Sequence, residues 1–176
     1  MIFYPLNLNG LDLKLKRLQI LLNDGLPYAE ALKHVYGRLY QNKRENKECL
    51  EVNLDGKEYQ EVFINDKEPF TAGFKFGTQI EYDTLELECN LICSGNLETL
   101  YSSTRKNDER FIIELTNVLR RQRYLRIDNI ETDFDKIFAG LDLEGLKYRN
   151  MFPFCTVMFT GKMWVQKNCV INVLKY

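Results

Sequence analysis

From Thr84 to Leu91, polar and apolar residues alternate one by one, and the apolar set continues at Cys93. Successive side chains of a β-strand point to opposite faces of its sheet, so this period of two predicts a strand with one buried face. Further strands are predicted at 50–54, 57–64, 70–76, 124–130, 154–165 and 169–174. A chain with this many strands has to bury the apolar face of a sheet.

Two short sequences are predicted to shape these strands. Asp55-Gly56 is a favoured two-residue turn, because both of its residues accept positive φ, and it would join 50–54 to 57–64 as a hairpin. Gly161-Lys162 is predicted to mark a β-bulge in the strand 154–165.

One long amphipathic helix is predicted from about Asn107 to Arg123, because apolar residues recur there along one face. The members of this stripe are Phe111, Ile112, Leu115, Val118 and Leu119. Two shorter helices, at about 12–22 and 27–37, are predicted to form an N-terminal helical hairpin. A helical turn is predicted at 134–138.

This order of elements predicts an α+β fold, in which a mostly antiparallel β-sheet packs with one long α-helix. The length of 176 residues suits a single domain. Within it, residues 1–40 are assigned to the helical hairpin and residues 41–176 to the α+β core. Residues 41–48 are all polar and predict a solvated loop at the start of the core.

The five cysteines are predicted to be reduced, and Cys89 and Cys93 are predicted to pack in the core. Their odd number and irregular spacing, with no export signal at the start of the chain, indicate reduced thiols. Cys89 and Cys93 lie four residues apart in a predicted strand, which separates them by about 13 Å. That distance is too long for a shared zinc ion or a disulfide bond.

The sequence lacks the motifs of several common enzyme classes. His34 is the only histidine, and it is predicted to be partly exposed or to cap a helix. The glycine motifs of nucleotide hydrolases, dinucleotide-binding proteins and serine esterases do not occur. We therefore expect no catalytic residue, no metal site and no cofactor.

Charge and hydropathy limit the partners. The 24 basic and 25 acidic residues give a net charge of -1, which disfavours non-specific nucleic-acid binding as the main activity. No apolar run approaches the roughly 20 residues that a membrane span needs, so no membrane contact is expected.

An acidic cluster is the strongest candidate for chemistry. Glu81, Asp83, Glu86 and Glu88 lie in or beside one predicted strand, and two-metal nucleases hold their ions with carboxylates of this kind. The simpler interpretation is a charged sheet face turned to solvent or to another subunit. A second acidic group is predicted to be a surface loop and consists of Asp128, Glu131, Asp133 and Asp135.

A basic run follows the long helix and consists of Arg120, Arg121, Arg123 and Arg126. Such a run can bind phosphates. The favoured interpretation is that it complements the helix dipole and pairs with nearby acids, including acids of a neighbouring subunit, because no aromatic platform accompanies it. Whether it faces DNA or a neighbouring subunit is left open.

The order of elements from about Phe70 to the C-terminus resembles that of the tail-terminator and head-to-tail joining ring proteins of tailed bacteriophages. The matching elements are the strands 70–76 and 84–93, the helix 107–123, the strand 125–130, the short helix 134–138 and the strand 154–165. Tyr-Gly-Arg-Leu-Tyr at 36–40 and Tyr-Gln-Glu-Val-Phe-Ile-Asn-Asp at 59–66 also look like segments of neck ring proteins of crAss-like phages. The N-terminal helical hairpin departs from the simplest terminator layout.

The resemblance implies a non-enzymatic structural subunit of a closed, homo-oligomeric ring in a virion assembled in the host cytoplasm. Such rings join the portal and adaptor proteins to the tail, and DNA passes through their lumen without specific binding. A single sheet with one helix leaves edges that a neighbouring copy can cover, which suits this role. The loops 41–48 and 65–69 are then expected to contact adjoining subunits.

Two other functions stay open at this point. The acidic cluster could serve a small metal-dependent nuclease. Alternatively, the chain could be a monomeric protein-binding module that uses the helix 107–123 or the Asp55-Gly56 hairpin as its recognition surface.

Overall fold

The computed structural model places eight strands and four α-helices in the residues that it describes, which are 2–3, 11–45, 47–53, 59–62, 68–81, 85–103, 105, 107–141 and 151–164. In chain order these are β1 (Ile2–Phe3), α1 (Leu11–Gly25), β2 (Lys33–Arg44), β3 (Lys47–Asn53), β4 (Tyr59–Glu61), β5 (Phe70–Glu81), β6 (Glu86–Asn96), α2 (Leu97–Tyr101), α3 (Asp108–Leu119), β7 (Leu125–Glu131), α4 (Phe134–Ile137) and β8 (Phe154–Trp164). The predicted turn Asp55-Gly56 and the predicted strand 169–174 lie outside the described residues.

The strands form one mixed sheet in the order β4-β3-β2-β5-β6-β8-β7, and β1 pairs with β2 beside this path. The pairs β1–β2 and β2–β5 are parallel, whereas the other neighbouring pairs are antiparallel. The predicted α+β fold with a mostly antiparallel sheet is therefore confirmed.

Two helices cover one face of the sheet. Leu15 and Leu18 of α1 and Phe111 and Leu115 of α3 are at most 1% exposed. The sheet residues of the same core are Val35, Phe70, Ala72, Phe74, Cys89, Leu91, Cys93, Cys155, Val157, Phe159 and Met163. The prediction of one long helix on the sheet is incomplete, because two helices lie there: α1 with 15 residues and α3 with 12.

A smaller apolar core lies on the opposite face. Ile92 is buried there, between neighbours in β6 that face the helices, and Leu39 of β2 joins it. Gly73 leaves room for Leu39, whose side chain lies 2.7 Å from where a Cβ of residue 73 would stand. The short helix α4 supplies Phe134 and Ile137 to the same cluster. Both faces of the sheet are thus covered near its centre.

The prediction of a second helix at 27–37, in an N-terminal helical hairpin, is wrong. A 3-10 turn over Glu30–Leu32 ends at once, and β2 begins at Lys33 and runs through the predicted boundary between residues 40 and 41. Alternate positions of β2 are buried, as a strand requires, and its backbone pairs with β1 on one side and with β5 on the other. These sheet hydrogen bonds outweigh the weak helical pattern of a short segment.

The prediction of a solvated loop at 41–48 is also wrong. The end of β2 pairs with β3. Arg44 lies opposite Lys47, and the pairing continues as far as Tyr40 opposite Glu51, so most of this polar segment is an antiparallel hairpin. The reversal occurs around Glu45, which has a φ of 47°. Its polar side chains are mostly exposed, which explains why composition alone resembles that of a loop.

A β-bulge occurs opposite Gly161, but in β7 and not in β8, where Gly161-Lys162 predicts it. The register between β7 and β8 shifts between Ile127 and Asn129, which leaves Asp128 as the extra residue of β7. At this point the backbone of β7 passes so close to β8 that a Cβ on residue 161 would overlap the carbonyl oxygen of Arg126. Glycine is required here because a side chain would collide with the backbone of β7, and not because residue 161 has a positive φ.

A buried lysine closes the C-terminal end of α1. Lys33 is 3% exposed, and its Nζ donates hydrogen bonds to the carbonyl oxygens of Asn23 and Leu26, the latter at 3.2 Å. A cation suits the negative end of a helix dipole and satisfies carbonyls that have no partner within the helix. Burial lowers the pKa of Lys33, and the nearby acids Asp24 and Glu30 oppose this shift.

Replacing Lys33 by methionine is expected to lower the free energy of unfolding by about 1–2 kcal/mol, because two helix-end carbonyls lose a charged donor. The difference from the wild type should widen as the pH rises towards 10.5. In that pH range Lys33 binds its proton more tightly in the unfolded chain than in the folded one. The free energy of unfolding of the wild type therefore rises with pH, whereas that of Lys33→Met has no such contribution. Urea denaturation at several pH values measures both effects. The exposed Lys43→Met is the control, and equal losses in the two variants would contradict the helix-end role.

Candidate functional site

Glu86 is buried at the start of β6 and is bound on several sides. Trp164 Nε1 donates a hydrogen bond of 2.6 Å to Oε1 of Glu86. Arg126 Nη1 lies 3.7 Å from the same oxygen, and Lys162 Nζ lies 3.6 Å from Oε2. Two cations and an indole N–H therefore surround this carboxylate, which makes it an anchor for the neighbouring strands.

The rest of the predicted acidic cluster is not brought together around Glu86. Glu88 is exposed and accepts a hydrogen bond of 3.3 Å from Asn90 Nδ2. The side chain of Glu81 and the whole of Asp83 lie outside the part that the structure describes. Among the described residues, no group of three or more His, Cys, Asp or Glu side chains is arranged to hold a metal ion.

The cysteines occupy packing positions. Cys89, Cys93 and Cys155 are buried in the core under the helices, as predicted for the first two. Burial raises the pKa of the Cys89 thiol to about 12 and raises the pKa of Cys93 as well. Protonated, buried thiols are poor nucleophiles, so Cys89 and Cys93 fit a role in packing. Cys169 lies outside the described residues.

His34 and the acidic loop after β7 have local partners. His34 Nε2 lies 3.1 Å from Glu68 Oε2, and the histidine side chain is partly exposed, as predicted. Asp133 accepts a hydrogen bond from the backbone N–H of Asp135 at the start of α4. The carboxylates of Glu131 and Asp133 each lie 3.7 Å from Lys136 Nζ. This loop is at the surface, also as predicted.

The basic run divides into one paired arginine and three unpaired ones. Arg126 Nε lies 2.8 Å from Asp128 Oδ1, in addition to its contact with Glu86. Arg120, Arg121 and Arg123 are exposed, and no ion pair links them to any residue that the structure describes. The predicted pairing with acids is therefore confirmed for Arg126 alone.

Arg17 of α1 lies beside this turn, which the sequence did not indicate. Burial raises the pKa of Tyr124, and the positive charge of Arg17 opposes that rise, which places the guanidinium near the phenol. Lys14 Nζ lies 5.9 Å from the centre of the same ring. Arg17 is exposed and, like the arginines of the turn, has no ion pair within the described ranges.

The surface formed by α3, the turn 120–124 and β7 is called the α3–β7 surface below. In the described part of the chain β7 pairs only with β8, so the backbone of its other side has no strand partner. A groove between α3 and β7 is lined by Thr116 and Arg120 on one side and by Leu125, Ile127 and Ile130 on the other. An unpaired strand edge beside an open groove is a site where another chain can add.

Exposed isoleucines flank this groove. Ile113 of α3 is 57% exposed, and Ile130 of β7 is 37% exposed. Large apolar side chains at the surface of a folded domain are common singly, but here Ile130 lines the groove itself and Ile113 lies one helical turn before Thr116, which also lines it. The α3–β7 surface therefore combines exposed apolar side chains, a strand edge without a strand partner among the described residues, and arginines without an ion pair in the same part of the chain.

A buried polar cluster that sequence patterns did not indicate holds the helices together. The hydroxyls of Tyr28 and Tyr101 lie 2.8 Å apart, and they lie 2.9 and 2.8 Å from Oε2 of Glu114. Arg110 Nε donates to the other oxygen of Glu114 at 2.8 Å. Burial raises the pKa of both phenols, so they keep their protons. The cluster fixes α2 and the segment after α1 against α3.

Comparisons with known proteins give no neighbour. No protein-family model matches the chain. Searches of curated proteins and of solved structures find no significant match. No helix within the described ranges is long and apolar enough to cross a membrane.

Proposed function

We propose that this chain is a structural virion protein, a subunit of an oligomeric ring at the head-tail connector or the tail terminus of a tailed phage. Copies of the ring would link the portal and adaptor to the tail and surround the channel through which DNA passes. The proposal rests on the resemblance in the order of elements and on one observation, the α3–β7 surface.

The α3–β7 surface supports an assembling subunit because a neighbour can pair with its strand edge and bury its apolar side chains. A strand edge gains backbone hydrogen bonds when another chain covers it, and exposed isoleucines gain by burial. The carboxylate Glu86 is already surrounded by cations and an indole, which weakens the case for a nuclease at this cluster.

The direct test is the size and shape of the purified chain in solution. Light scattering is expected to give a mass of many copies, and negative-stain electron microscopy is expected to show closed rings with a central lumen. A chain that stays monomeric alone and in the presence of portal complexes would contradict the proposal and favour a monomeric binding module.

The double variant Ile113→Lys/Ile130→Lys is expected to raise the dissociation constant of assembly at least about tenfold, since about 1.4 kcal/mol corresponds to tenfold. The reason is that two apolar side chains at the proposed contact become charged. Tyr59→Lys is the control, because Tyr59 is 41% exposed on β4, at the edge of the sheet opposite β7. Light scattering over a dilution series compares the variants, and equal effects would contradict the placement of the contact.

A further inference from the structure

The α3–β7 surface has a charge at each end, and the charges are opposite. Its basic end consists of Arg17, Arg120, Arg121 and Arg123 around Tyr124. Its acidic end consists of Asp108, Glu109, Glu131, Asp133 and Asp135, beside the cations Arg110 and Lys136.

The chain reversal after α3 separates these two ends. Helix α3 has 12 residues and is about 18 Å long. The turn 120–124 then sends β7 back along it, so that one groove joins Arg120 to Leu125 and another cleft joins Glu109 to Thr132. The first residues of α3 and the last residues of β7 therefore meet at the acidic end.

Four charges at the basic end and one at the acidic end have no ion pair among the described residues. Arg17, Arg120, Arg121 and Arg123 are exposed and have no ion pair with any described residue. At the other end Glu109 is exposed and likewise has no ion pair among the residues described. Arg110 at the acidic end is engaged by Glu114 and does not neutralise Glu109.

We propose that the basic end of one subunit docks on the acidic end of a second copy, head to tail. This inference rests on the proposed ring, since a heterologous contact of this kind closes into a ring when its rotation allows. The exposed Ile113 and Ile130 lie near the acidic end and supply apolar contact inside a charged rim, which is the usual anatomy of a protein interface.

A second copy fits this surface better than DNA does. The chain as a whole has a net charge of -1, and its basic end is matched by an acidic end of similar extent on the same molecule. Opposite charges across an interface also set its register and disfavour wrong pairings. DNA contact at the basic end would leave the acidic end without a role.

The test exchanges the charges. Arg121→Glu and Glu109→Arg, made singly, are each expected to raise the dissociation constant of assembly about tenfold or more, because like charges then face each other. The combined variant carries both reversals, restores opposite charges, and is expected to return to within about threefold of the wild type. Glu61→Arg, with the same change of charge as Glu109→Arg at an exposed position of β4, the sheet edge opposite β7, is the control.

Light scattering and mass photometry, at low and at moderate salt, measure the assembly of every variant. Wild-type rings that are insensitive to both single reversals, or a combined variant that fails to recover, would overturn the head-to-tail contact and leave the ring proposal intact. A discrete two-fold dimer, or Arg121→Glu losing duplex DNA while Glu109→Arg assembles normally, would overturn it as well. A monomeric wild type contradicts the ring itself.

Discussion

Replacing Phe111 by alanine is expected to lower the free energy of unfolding by about 3–5 kcal/mol, the range for truncating a buried phenylalanine. Phe111 is fully buried and packs edge to face with Phe70, at 6.1 Å between ring centres. Its ring also lies 2.9 Å from where a Cβ on Gly95 would stand, so the sheet has been fitted to it. The substitution removes the contact by which α3 is held to β5 and β6.

Chemical denaturation measures this loss, with Ile113→Ala as the matched control on the same helix. Ile113 is 57% exposed, so its truncation is expected to change stability by less than about 1 kcal/mol. Alanine favours a helix at both positions, which removes helix propensity as an explanation of the difference. A loss at Phe111 as small as at Ile113 would show that α3 does not pack here.

Gly161→Ala is expected to destabilise the chain by about 1–3 kcal/mol and to detach β7 from β8, because a Cβ has no space beneath the β7 backbone. The obstacle is the carbonyl group of Arg126, with its carbon at 2.9 Å and Cα of Ile127 at 3.1 Å from the added atom. Backbone atoms move only if the whole strand moves. The contact of Arg126 with Glu86 should be lost with it.

Hydrogen exchange over 125–131 is the measurement that locates this effect. Amides of β7 should exchange much faster in Gly161→Ala, while those of β5 and β6 should keep most of their protection. Thr160→Ala, the neighbouring substitution in β8, is the control and should leave β7 protected. Faster exchange of the whole sheet in both variants would contradict a local role for Gly161. Because β7 carries the proposed contact, Gly161→Ala should also fail to assemble.

The central strands can be predicted from the sequence because their buried side chains occupy every second position. Cys89, Leu91 and Cys93 face the helices as the alternation predicts. The same rule misses the second core, since Ile92 stands among polar positions and is buried by α4, which lies more than 40 residues further along. Burial on that face depends on long-range packing, which a local period does not contain.

The error at β2 has a different cause. Lys33 is charged and Gly37 is small, yet both are buried in the strand, so the apolar residues alone do not show an alternation. Lys33 is buried because α1 offers it helix-end carbonyls, and this partner is visible only in three dimensions. A polar residue with a specific partner defeats any prediction that treats polarity as exposure.

The candidate site was partly visible in the sequence. The arginines of the turn 120–124 are adjacent in the chain and were recognised as the basic run, but Arg17 comes from another helix. The acidic end joins α3 to the residues after β7, more than 20 positions away, and only the chain reversal brings them together. Arg126 pairs with Asp128, two positions away, and its second partner, Glu86, comes from a strand about 40 positions earlier.

The position of β8 has a consequence for synthesis. It is the last strand in the described part of the chain, yet it lies between β6 and β7. A ribosome therefore has to release the chain beyond residue 164 before the sheet can close, and a product that stops before residue 154 keeps β6 and β7 apart. Exposed leucines of α1 and α3 would mark such a product for chaperones or proteases.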